Sequence, residues 1–129
     1  MSTLGNEYYS VRADTEKNRI YFSMQGAIPN VDAIKGFEPD WKTTVGEVKE
    51  GFTILADLSK CEPLPEDVDK LNEEVQGWIM TQGCRKVAQL VGDINLMSQV
   101  NAFAEKSGMR EILRAFFYVK GAEMWLDMD

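Results

Sequence analysis

The chain has 129 residues, 44% of them apolar and 27% charged, and its 14 Lys+Arg against 21 Asp+Glu give a net charge of −7. That length suits one domain spanning residues 1–129, with chain enough to bury a core without staples. A surface this acidic repels phosphate backbones, so nucleic acid is not an expected partner, and the lack of any histidine excludes His triads, His metal ligands and His proton shuttles.

The opening residues, Met1 to Ser10, carry neither a basic n-region nor an apolar h-region. No apolar run approaches the roughly 20 residues of a membrane span. A cytoplasmic protein with no stable membrane insertion is the expectation.

Two early segments alternate. Tyr9, Val11 and Ala13 share one face, and Ile20, Phe22 and Met24 share another, which reads as a half-buried antiparallel hairpin joined by the polar connector Asp14 to Asn18. After Gly26 the period lengthens: Val31, Ile34, Phe37, Trp41, Val45 and Val48 form a helical stripe that Asn30 can cap and that Gly36, Pro39 and Gly46 interrupt. Phe52 to Leu58 is a nearly unbroken apolar run, the pattern of a central strand covered on both faces. A proline-bearing loop, Ser59 to Pro65, leads to a second stripe, Val68, Leu71, Val75, Trp78 and Ile79. Its first turn holds Glu66, Asp67 and Asp69, where acidic charge meets the positive end of the helix dipole. Lys86 to Gly92 reads as another buried strand. Asp93 or Asn95 can cap a third helix that Gly108 ends, Ile112 to Val119 reads as the last strand, and a short helix holds Ala122, Trp125 and Leu126. The order β-β-α-β-α-β-α-β-α predicts an α/β fold with a mixed, mostly parallel sheet of about five strands. Cys61 and Cys84 then lie near opposite ends of the sheet, on the order of 15–20 Å apart at the usual rise per residue. That is beyond disulfide reach, so both are expected as reduced thiols.

The order and three stretches carry a family resemblance: Thr53-Ile54-Leu55-Ala56-Asp57-Leu58-Ser59, Arg85 to Asp93, and the closing Phe116 to Leu126 with its Trp-Leu ending. Over roughly Tyr8 to Leu126 the chain resembles the STAS-like superfamily, which includes the bacterial anti-sigma-factor antagonists, and within it an antagonist-like, STAS/Sec14-like bacterial branch. The resemblance implies a STAS-like fold and a non-catalytic regulatory module that acts by contacting a protein. In the phosphorylatable antagonists a serine near the start of the helix after the third strand is the kinase target. Laid over this chain, that position falls at about Glu66 or Asp67, so the phosphorylatable serine is missing. A carboxylate there carries about half a phosphate's charge.

Ligands in α/β folds collect at the C-terminal edge of the parallel strands. Here that edge should gather Asp57, Ser59, Cys61, Glu62 and Asp93, and together with Glu66 and Asp67 it forms the candidate interaction surface. Two carboxylates at such an edge can hold Mg²⁺, but a receiver-like site needs an acidic pair where Gln25-Gly26-Ala27 stand, so no metal or cofactor is expected. Asp93 is better read as a helix cap, Asp57 as a loop acceptor and Ser59 as a turn hydroxyl bonding its own backbone. No GxSxG, P-loop or GxGxxG occurs, and the thiols have no histidine partner, so an enzyme is not expected. Most aromatic and methionine side chains read as core. The rival reading is a carrier: Phe37, Trp41, Trp78 and Phe103 would line an apolar pocket under the interrupted first helix, holding a small apolar ligand such as a fatty acid or other lipid. A Met/Phe-rich surface would alternatively self-associate as a homodimer.

Overall fold

Tyr9–Asp14 and Arg19–Gly26 form the antiparallel hairpin, here β2 and β3, with Tyr9, Val11, Ala13, Ile20, Phe22 and Met24 buried on one side. The turn closes because Asp14 Oδ1 accepts from the backbone N–H groups of Glu16 and Lys17. The computed structural model describes residues 3–128 apart from the side chain of Phe103.

β3 pairs in parallel with β4 (Thr53–Cys61), β4 with β5 (Lys86–Val91), and β5 with β6 (Leu113–Phe116). Between them run α1 (Phe37–Val45), α2 (Glu66–Met80) and α3 (Ile94–Ser107), and α4 (Val119–Asp127) closes the order. With β1 (Leu4–Gly5) at one edge, the sheet follows chain order, β1-β2-β3-β4-β5-β6. An α/β fold with a mixed sheet is what the sequence implied, but the strand count is six rather than five. The added strand, β1, is Leu4–Gly5 and pairs antiparallel outside β2. Two residues are too few to show a period. Gly5 fits because a Cβ there would fall 2.1 Å from the Tyr9 carbonyl oxygen, at a φ of +138°.

Two other boundaries move. The first helical stripe splits into a 3-10 turn, Val31–Ile34, capped by Asn30, and α1 beyond Gly36. Pro39 does not break it, because it sits in the first turn of α1, where no intrahelical N–H is missed. The last strand is shorter than the expected Ile112 to Val119: Met109–Ile112 is a 3-10 turn and Val119 already belongs to α4. An aromatic run looks the same in sequence whether it continues a strand or leaves it.

Strand alternation divides the interior. Ile54, Ala56, Leu58 and Val87 face the large core built with Phe37, Trp41 and Val45 of α1, Val68, Val75 and Ile79 of α2, and Leu96, Val100 and Ala104 of α3. Leu55, Ala88 and Leu90 point to the other face and pack with Ala122 and Leu126 of α4. Both sheet faces are thus covered, three helices against one. Cys61 ends β4 and Cys84 precedes β5, at opposite ends of the strands, and both are buried free thiols. No helix among the described residues is long and apolar enough to cross a membrane.

Candidate functional site

At the C-terminal edge the predicted polar residues are mostly engaged by their own backbone. Asp57 Oδ1 accepts from Ser59 N (3.0 Å) and from Ser59 Oγ (2.6 Å). Ser59 lies inside β4 rather than in a loop, and its hydroxyl donates to this carboxylate rather than to its own backbone. Asp93 caps α3, accepting from Asn95 N (2.8 Å) and Leu96 N (3.2 Å). Asp67 accepts from Val31 N (3.0 Å) and Val68 N (2.8 Å), which ties the start of α2 to the 3-10 turn. Glu62 and Glu66 stand exposed. Burial first, then the charges of Glu62 and Asp93, pushes the Cys61 thiol up to about 11, so these three groups share one neighbourhood. Gln99 of α3 holds the intervening loop by accepting from Leu64 N (2.7 Å) and donating to Leu64 O (2.8 Å). The edge is a rigid, acidic rim with its turn carboxylates already in use. Among the described residues no three acidic or cysteine groups gather closely enough to hold a metal ion.

The same edge carries apolar side chains that sequence reasoning placed in the core. Phe117 and Tyr118 are each 79% exposed, and Val119 and Met124 are also exposed. They follow the end of β6, while Ile94, 77% exposed, follows the end of its parallel neighbour β5. β6 is the edge strand, and among the described residues no further strand lies beyond it to cover these groups. Arg114 and Lys120 flank a groove with Phe116, Phe117 and Met124, and the Arg114 guanidinium stacks 5.6 Å from the Phe116 ring. The available signal was positional: an apolar run after the last strand has no later element except α4 to bury it.

The aromatic candidates divide. Phe37 and Trp41 line an interior cavity of about 40 Å³ between the sheet and the three helices, together with Phe22, Met24, Asn72 and Gln89. Phe22 and Trp41 lie with ring centroids 5.0 Å apart. Trp78 lies outside, half-buried in a groove between α1 and α2, with Lys42 Nζ 5.7 Å from its ring. Phe103 belongs to α3, and its side chain lies outside the described residues. The cavity has room for on the order of three water molecules, too little for the acyl chain of a fatty acid. The chain matches no protein-family model and no curated protein.

Proposed function

We propose that this chain is a non-catalytic regulatory module of the STAS-like type that binds a protein through the C-terminal edge of its sheet. The observation that carries the reading is the exposed apolar set Ile94, Phe117, Tyr118 and Val119 after two neighbouring parallel strands. Exposed apolar groups gathered beside a polar rim are the usual composition of a contact surface. The alternation of strands and helices that carries the resemblance supports the STAS-like part of this reading, and with the antagonists laid over this chain their phosphorylated serine falls at about Glu66 or Asp67.

The occupant this surface suits is a protein segment with apolar residues and acidic flanks. Arg114 and Lys120 border the patch, and neither forms an ion pair among the described residues. A second copy meeting the same patch about a two-fold axis would set those cations against each other, which costs rather than gains.

A photo-crosslinker at position 117 tests this in the native host. A discrete hetero-adduct lost in Met124→Lys and in the Arg114→Glu, Lys120→Glu pair, yet kept in Glu105→Gln, supports it. An adduct of two copies of this chain, or adducts indifferent to those changes, overturns it.

A further inference from the structure

The interior cavity has a chemistry separate from the surface reading. Trp41 Nε1 is a buried side-chain nitrogen with no hydrogen-bond partner. Leaving such a donor unpaired costs about 1–3 kcal/mol, and native cores rarely tolerate it without a bound molecule to accept the bond. Two further polar side chains, Asn72 and Gln89, are more than nine-tenths buried and line the same space. The Asn72 amide nitrogen donates to the Met24 sulfur at 3.9 Å, a weak acceptor. Trp41, Asn72, Gln76 and Gln89 bring nitrogen-bearing side chains to the lining of one otherwise apolar space.

We infer that this cavity is a binding site for a compact, uncharged molecule whose single oxygen accepts a hydrogen bond from Trp41 Nε1. The absence of charge follows from the lining: no Asp, Glu, Lys or Arg borders the space. A charged guest would lose its hydration with nothing opposite to replace it. The size follows from the volume of about 40 Å³, which accommodates on the order of three non-hydrogen atoms. Aromatic and thioether walls from Phe22, Phe37, Met24 and Met109 take the apolar body. A two-carbon alcohol or aldehyde has these properties. Val75 borders both the cavity and the groove between α1 and α2.

Titration with ethanol, followed by NMR of the Trp41 indole N–H and the Val75 and Val100 methyl groups, tests the assignment. A saturable shift with Kd on the order of 10 mM is expected. Trp41→Phe should weaken it about tenfold by removing the donor. Xenon, which needs no donor, should perturb the Val100 methyls equally in both proteins, which shows that the cavity survives the substitution. Equal ethanol affinity in the two proteins overturns the inference. So does an indole proton that contacts only long-lived water and ignores ethanol.

Discussion

Cys84 shows how a single buried atom couples to solution conditions. Burial is the largest influence on it and pushes the thiol up to about 12. In the unfolded chain it ionises near 8.5. A raised folded value favours the neutral form, so the associated stability is complete below about pH 8.5 and declines as pH rises toward 12. Between pH 7 and about pH 9.5, Cys84→Ala should keep about 1.4 kcal/mol more of its stability than the parent chain, one unit of pH above the unfolded value. Urea melts at the two pH values measure this, and an identical decline in both proteins would refute it. The thiol's reactivity follows the same logic: with the thiolate suppressed it is a structural group, not a nucleophile. At residue scale the caps were legible, since Asn30 and Asp93 precede their helical stripes and do accept from the first-turn N–H groups. Gly92 was not. A Cβ there would meet the Ser59 carbonyl oxygen at 2.5 Å, a contact with a residue 33 positions earlier that no local pattern encodes.

At the scale of elements, α4 is held to the sheet by charge as well as by grease. Arg19 of β3 is buried and donates to Thr53 Oγ1 (2.9 Å), Glu123 Oε1 (2.6 Å) and Asp127 Oδ1 (2.8 Å). Tyr21 adds a hydroxyl donor to Glu123 at 2.9 Å, and Lys86 Nζ caps the helix end through the Trp125 and Met128 carbonyls at 2.8 Å. Burial acts to lower the Arg19 value, but its bonds to Asp127, Tyr21 and Glu123 outweigh that and raise it. The hydrogen bond from Arg19 holds the Asp127 carboxyl below its usual range. A lowered carboxylate contributes above its unfolded value and stops contributing as pH falls below about 4. α4 should therefore loosen first on acidification, read by loss of the Trp125 contact with Phe116, now 5.6 Å between centroids. Arg19→Met should move that loosening to neutral pH and lower stability, because the hydrogen bonds from one buried guanidinium to Thr53, Glu123 and Asp127 are lost together. If Trp125 fluorescence and far-UV circular dichroism change together at every pH, the latch is no separate unit. None of this network was legible beforehand. Period-two alternation marks Ile20 and Phe22 as inward, whereas Arg19 reads as a solvated hairpin residue until a helix 104 positions later supplies its acceptors.

For the molecule as a whole, the uneven covering of the sheet decides what α4 is worth. Three helices bury one face, and among the described residues α4 alone packs on the other, over Leu55, Ala88 and Leu90. Ending the chain at Tyr118 removes the buried Ala122 and Leu126 and bares that strip. The loss of Leu126 burial alone is worth about 1.5–3 kcal/mol, and the bonds from Arg19 to Glu123 and Asp127 go with the helix. Against a total stability of about 5–15 kcal/mol for a domain, the truncated chain should sit at or near the limit of folding and associate through the exposed strip. The patch proposed for partner binding lies at the edge and can lose Phe117 packing at little cost, since that side chain is 79% exposed, so surface substitutions and truncation should separate cleanly in a thermal melt. A peptide of residues 119–129 added in trans should restore cooperative unfolding and a monomer by light scattering, because the acceptors of Arg19 and the apolar cover return together. A truncated chain that melts cooperatively at the parent temperature without the peptide would show that the second face needs no lid, and would remove the reason for Arg19 being buried beneath one.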